Sequence, residues 1–492
     1  MTTRIGAWIA TFVGTVAVAV LSSCGGNGGS DGVTPPPPPP PTQTVFTSGP
    51  ISGFGSVYVN GVRYATASTD IEIDGVKASL SDLRVGQVID LKGHVQDGSS
   101  SADLIRYSHN LEGPITSVDP VGMKFVAMGQ TVLVDSDTLF GEGIDPATIE
   151  GLQVDDVVEV SGLIDGEGQI EATRVDPWAG SGPYDVFGTA SEVNAAEKTF
   201  LITGLKVDYS AANIEDFPSG SPEDGDLVLV TGFEFGEGGE FLATRVELRY
   251  DQQMLPDAGD KVHIAGLITD FVSAIEFDVA GAPVTTTSST VYENGTVADL
   301  ALDMRVCVEG TLNAEGVLVA ERVRFALEQE IRIVSTVDAI SPYGLKILGL
   351  TVFLNPETRF EDGRSTGMTL IGMADINPGD WVEVRAYEYP AGSGEVVATR
   401  VTLLNEQDEQ RMRGPFRNPA APAFEILTVD VMTTDSTRFV VEDPAAGGGS
   451  GGEIITAAEF FATAVGELVE ARGAWNGTVL TATHAIIKTC DD

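Results

Sequence analysis

The chain has 492 residues, too many for a single compact core, and length alone points to about three or four domains. Its 72 acidic residues against 28 Lys and Arg leave a net charge of −44, which excludes the clustered cations that nucleic acid and anionic lipid headgroups require. A chain this acidic is expected to repel itself in solution, with a cation-binding surface as the rarer use of such charge.

The N-terminus reads as a targeting segment. Arg4 precedes the apolar run Ala7 to Leu21, which is short for a membrane span and ends in Leu21-Ser22-Ser23-Cys24. This stretch resembles the lipobox of bacterial lipoproteins, in which the Cys is acylated and becomes the new N-terminus. The resemblance makes residues 1–23 a signal peptide and Cys24 the lipidation site. It also implies attachment to the outer membrane, because Gly25 is not the Asp that retains such proteins at the inner one. Residues 24–47 then form a tether, in which a Gly-rich stretch leads into seven consecutive prolines. Such a run extends at ~3.1 Å per residue as polyproline II.

Self-similarity dominates the rest of the chain. An apolar residue, a Gly four positions on and an apolar residue three further recur as Val57-Gly61-Tyr64, Phe125-Gly129-Val132, Phe200-Gly204-Val207, Phe277-Gly281-Val284 and Leu345-Gly349-Val352. A weaker copy, Phe424-Thr428-Val431, replaces the Gly with Thr. Flanking alternation and a Gly at the turn predict a β-hairpin, most clearly at Asn60-Gly61. A Thr-containing element follows: Ser68-Thr69, Asp137-Thr138, Ser289-Thr290, Glu357-Thr358 and Ser436-Thr437, with only Ile214 kept in the third copy. Next comes a short helix-like or turn-like crossing, such as Ser79 to Val85, Pro146 to Leu152 or Val297 to Met304.

Two strands end each copy. The first closes on a small residue, as in Val88 to Gly93, Val157 to Gly162, Leu227 to Gly232, Arg305 to Gly310, Trp381 to Ala386 and Leu468 to Gly473. The second carries Ala-Thr-Arg-Val at 172–175, 243–246 and 398–401, with Ala-Glu-Arg-Val at 320–323 and Ala482-Thr483-His484-Ala485 in the last copy. The predicted fold is therefore all-β: a tandem array of about six small five-stranded OB-like Greek-key barrels, spanning 48–110, 111–182, 183–258, 259–328, 329–407 and 408–492. Immunoglobulin-like sandwiches are the rival, but these units are shorter than the ~100 residues of that fold.

With openings such as Gly113-Pro114-Ile115 and closing Ala-Thr-Arg-Val strands, the repeats resemble the domain-of-unknown-function 5666 family of bacterial exported proteins. The resemblance implies fold and export, and it carries no known activity.

Little in the sequence points to chemistry. Gly448 to Gly452 formally matches a nucleophile-elbow pattern, but Glu442 to Ala446 before it reads as a loop rather than a strand. His94, His109, His263 and His484 show no metal-ligand spacing and read as structural or exposed. Asp135-Ser136-Asp137, Asp165-Gly166-Glu167 and Glu223 to Asp226 read as solvated turns, or as weak Ca2+ sites, since none completes an EF-hand loop. Trp178, Tyr184, Trp381 and Trp475, the candidates for stacking on sugars, do not recur at one repeat position. With Cys24 acylated, Cys307 and Cys490 read as free thiols, Cys307 buried in a strand. For the repeated Arg, the preceding strand offers Glu159 to Arg174 and Glu383 to Arg400 as cross-strand ion pairs. No catalytic residue, metal or cofactor is expected. Two readings stand: a non-catalytic, lipid-anchored envelope protein presenting an acidic array for interaction or structural roles, and a carbohydrate- or ligand-binding surface lipoprotein. Partners are the membrane, through the lipid, and envelope polysaccharide or protein; nucleic acid is not among them.

Overall fold

The computed structural model describes residues 42–492, apart from residues 55, 97–98, 136, 179, 181, 250–255, 327–330, 356–357, 365–370, 391, 443–452 and 489–492. Cys24, the signal peptide, the proline run, the Gly448–Gly452 stretch and Cys490 lie outside the described residues. Residues 43–47, read above as the end of the tether, instead begin the strand Gln43–Gly53, in which Val45 and Thr47 are buried. Alternating burial on that strand explains why these residues join the sheet.

The second segment shows the repeating plan. Its first strand, Leu111–Asp119, turns back into Lys124–Ala127, which pairs with Gln130–Leu133. That third strand runs parallel to the start of the last, Ile170–Pro177. The last strand is antiparallel to Val157–Ile164, which returns to pair with the first. The order first, second, third, last, fourth, first closes on itself, which is a small Greek-key barrel of the OB type. The same closure recurs in the first segment and in the third. It recurs again in the fourth and the sixth. In the fifth the first strand is interrupted, and the short strand Ala339–Ser341 that follows Ile331–Thr336 makes the pairing with the second. The fold is all-β, and the short crossings predicted from sequence are single 3-10 turns such as Leu80–Asp82, Ile149–Gly151 and Val297–Asp299. The one α-helix among the described residues, Ala457–Thr463, seats Phe460 in the last core.

A β-bulge accounts for the repeated Ala-Thr-Arg-Val. Gly162 stands opposite Ala172, but the next residue down the partner strand, Ser161, faces Arg174, so Thr173 is the extra residue. The register slips at the same place beside Gly93, Gly232, Gly310, Ala386 and Gly473. A Cβ on Gly162 would sit 2.4 Å from the Glu171 carbonyl oxygen, so a small residue is needed opposite the bulge. Beyond the slip, the last strand exchanges one neighbour for another: Ile170 pairs with Val132, whereas Arg174 pairs with Leu139 of the short strand Leu139–Phe140. Ala172 and Val175 point into the barrel and are buried.

The hairpin Gly residues differ in their reason. Met128-Gly129, Asn60-Gly61 and Leu348-Gly349 place both turn residues at positive φ. In the third segment Thr203 takes the positive φ, and Gly204 is required instead by the Gly129 carbonyl oxygen, 2.7 Å from where its Cβ would lie.

The barrels pair through their first strands. Leu111 opposes Val186, joining the second and third segments, and Ile333 opposes Met412, joining the fifth and sixth. The first segment pairs in parallel with the fourth, Val45 to Ser48 alongside Lys261 to Ile264. Second and third share one continuous core, as do fifth and sixth, while first and fourth keep separate cores.

Candidate functional site

The arginines of the repeated strand have different fates. Arg174 is buried where three segments meet: its guanidinium bonds Asp176 at 2.6 Å and the Val85 carbonyl at 3.1 Å, and lies 3.8 Å from Glu361. The expected partner Glu159 faces Asp176 in the register, whereas Arg174 faces Ser161; Glu159 accepts a hydrogen bond from Tyr107 at 2.6 Å instead. Arg400 lies 3.8 Å from Glu383, which is held more closely by Arg332 at 2.6 Å and Arg385 at 3.0 Å. Arg245 pairs with Glu247 at the half-exposed surface, and Arg322 with Glu309 and Glu293.

Arg400 opens the way to the site itself. It stands beside Arg359 on the parallel neighbour strand, and both reach toward the second segment, donating to the Thr138 and Asp137 carbonyls at 3.5 and 3.3 Å. Arg305, from the fourth segment, meets Glu171 at 3.1 Å. These three arginines and Arg324 line a cavity of about 160 Å3 at the meeting of the first, second, fourth and fifth segments. It adjoins a wider depression of about 660 Å3, and the two share Asn60, Asn294, Cys307, Arg324, Asn355 and Tyr387. Tyr389, half exposed, lies on the rim of that depression.

The electrostatics of this cleft run against the chain's overall charge. Burial and the neighbouring Arg305 push the Arg359 guanidinium down to about 10, despite Asp137 beside it. Burial raises the carboxyl of Asp137, against the pull of Arg359. Burial also lifts the Cys307 thiol to about 11, which makes it a poor nucleophile and leaves it a wall residue. The arrangement suits an anionic group, since four guanidinium groups line one space and two of them, Arg305 and Arg359, repel each other, although Arg305 pairs with Glu171 and Arg324 with Glu293.

The cleft was not foreseen in the sequence. Arg359 lies in the Thr-containing element and Arg305 opens a closing strand, but nothing in their spacing shows that segments distant in the chain bring them together. The acidic turns prove to be used by their own backbones. Asp135 Oδ1 accepts from the Asp137 and Thr138 amides, Asp165 Oδ1 from those of Glu167 and Gln169, and Asp226 Oδ2 from Glu223. Trp178 packs edge-on to Tyr184, with centroids 6.3 Å apart, and Trp475 covers the Gly349 hairpin; neither reaches the cleft. Among the described residues, one group of His, Asp and Glu side chains is close enough to hold a metal: His109, Glu112 and Asp185. Its members are buried or half-buried at the junction of the first three segments. No helix among them is long and apolar enough to cross a membrane.

Fold and site together define a protein of repeated OB-type barrels with a basic cleft between barrels rather than on one barrel face. The sequence profile of the family described as a domain of unknown function (DUF5666) matches residues 47–106, 112–176, 265–324 and 335–402, together more than half of the chain. The chain belongs to this family. The third and sixth segments, outside those matches, close in the same strand order. None of the curated proteins compared matches the chain.

Proposed function

We propose that this is a non-catalytic, lipid-anchored protein of the cell envelope that binds an anionic ligand in the arginine-lined cleft, with acidic envelope polysaccharide as the ligand class. The observation that carries this reading is the convergence of Arg305, Arg324, Arg359 and Arg400 on one cavity in a chain of net charge −44. Cations are scarce in this sequence, and a carboxylate or sulfate entering the cavity would relieve the crowding of Arg359 by Arg305. The wider depression has room for sugar rings beyond the acidic group, and Tyr389 offers a face for stacking. Anchoring rests on Cys24 and its resemblance to a lipobox, with the outer membrane as the destination.

A thermal-shift panel of uronate-bearing and neutral oligosaccharides, run on the mature protein, tests the binding. Stabilisation by the acidic members alone supports it; stabilisation by neither, or equally by both, overturns it. Detergent phase partitioning of Cys24→Ala tests the anchor, and an unchanged detergent-phase signal would count against it. A purely structural or interaction role for the acidic array is the second reading, favoured by the edge-to-edge pairing of the barrels.

A further inference from the structure

The pairing of the second and third barrels aligns like charges. Across three neighbouring strands the register sets Glu159 opposite Glu112 and Glu112 opposite Asp185, so three carboxylates stand in one row on one face of the sheet. Like charges directly opposite each other are destabilising, and a row of them with Glu112 buried and Glu159 and Asp185 half-buried calls for a cation. A comparable row of arginines joins the fifth and sixth barrels, Arg385 opposite Arg332 and Arg332 opposite Arg413. That row carries its own counter-charges, Glu383 against Arg332 and Arg385, and Glu470 opposite Arg413.

The acidic row has a different companion. His109, in the link between the first and second barrels, is 2 % exposed and sits over the row. Its Nδ1 lies 3.2 Å from Asp74 Oδ2 and 3.9 Å from Glu112 Oε2, and its Nε2 lies 3.9 Å from Asp185 Oδ2. Neither ring nitrogen makes an aligned hydrogen bond, and Oδ1 of both Asp74 and Asp185 is likewise buried without one. One ligand atom from each of His109, Glu112 and Asp185 lies within 4.8 Å of the others.

We propose that His109, Glu112 and Asp185 bind a divalent first-row metal ion of the zinc type, with Asp74 orienting the imidazole through its second nitrogen. An imidazole with two carboxylates is a donor set for zinc rather than for calcium, which prefers oxygen alone. A carboxylate behind a metal-bound imidazole fixes its tautomer and raises its basicity, which is the place Asp74 occupies. The ion would cancel the charge of the row and tie three barrels together: Asp74 belongs to the first, Glu112 to the second and Asp185 to the third.

The test uses untagged mature protein, stripped with chelator and re-equilibrated with Zn2+ in an excess of Mg2+, which occupies exposed carboxylates. After gel filtration, elemental analysis is expected to find one tightly held Zn2+ per chain, and the zinc-loaded protein is expected to melt at a higher temperature than the stripped one. His109→Gln and Asp185→Asn are expected to weaken uptake at least 100-fold, and Asp74→Asn about 10- to 100-fold. Should a variant fail to fold by near-ultraviolet circular dichroism, Co2+ substitution in the wild type decides instead: a visible absorption band of low-symmetry Co2+ supports the site. Wild type without retained Zn2+, or His109→Gln that retains it fully, overturns the proposal, as does a Co2+ spectrum no different from that of the aqueous ion.

Discussion

Thr138 donates its hydroxyl to the Ala172 carbonyl across 2.8 Å, at the point where the bulge breaks the ladder. The same bond joins Thr69 to Ala102, Thr290 to Ala320, Thr358 to Ala398 and Thr437 to Ala482, each at 2.7 Å. The recurring Thr and the recurring Ala-Thr-Arg-Val are thus two halves of one device: the bulge frees a carbonyl, and the Thr satisfies it. Thr138→Val should cost about 1–3 kcal/mol, the cost of a buried acceptor left without its donor. The third segment has Ala212 in the Thr position, so Ala212→Thr should leave stability unchanged or raise it. Chemical denaturation of both variants checks the pair.

Burial separates the arginines of the repeated strand. Arg174 is 8 % exposed and links the first barrel's Val85 carbonyl to acids of the second and fifth. Arg174→Ala should cost about 1–3 kcal/mol, because it leaves the Val85 carbonyl and the half-buried carboxylates of Asp176 and Glu361 without their donor. The Arg245 side chain is 37 % exposed, and Arg245→Ala should cost about 0–1 kcal/mol. Melting curves of the two variants should differ plainly; equal losses would contradict the burial argument.

Acid should destabilise the fifth barrel through Glu383. Burial alone would raise the Glu383 carboxyl, but Arg332, Arg385 and Arg400 outweigh it and hold it down at about 2. A depressed carboxyl contributes stability that is present above its unfolded value of about 4.5 and lost as pH falls through the folded value near 2. The contribution is on the order of 3 kcal/mol, and Glu383→Gln should remove it and flatten the stability curve between those two pH values. Urea titrations at a series of pH values measure the slope.

The Cys307 thiol, raised to about 11 by burial, should resist alkylation in the folded protein at pH 8 and react fully once denatured. Peptide mapping after iodoacetamide treatment distinguishes Cys307 from the other cysteines.

Strand order and barrel closure were legible in the sequence because alternation, turn residues and repetition act locally: Asn60-Gly61 announces its hairpin wherever it lies. What escaped notice depends on register and distance. With Thr173 as a single extra residue, Arg174 stands across from Ser161 and Glu159 across from Asp176, and no alternation pattern reveals a bulge of one residue. The parallel pairing of Thr47 with His263 joins residues more than two hundred positions apart, so neither the first barrel's partner nor the cleft beside it can be read from spacing. His109 read as structural because its companions Asp74, Glu112 and Asp185 come from three barrels. The one local hint was an acid near the start of two successive first strands, Glu112 and Asp185.

Calorimetric titration of a uronate oligosaccharide, such as an oligogalacturonate, into mature wild-type protein and into Arg359→Gln most directly tests whether the arginine cleft is the binding site. The cleft account predicts saturable binding to the wild type that weakens as salt rises, and a loss of at least tenfold in affinity in Arg359→Gln with the fold intact. Binding of equal strength in both proteins, or none in either across acidic oligosaccharides, would contradict it.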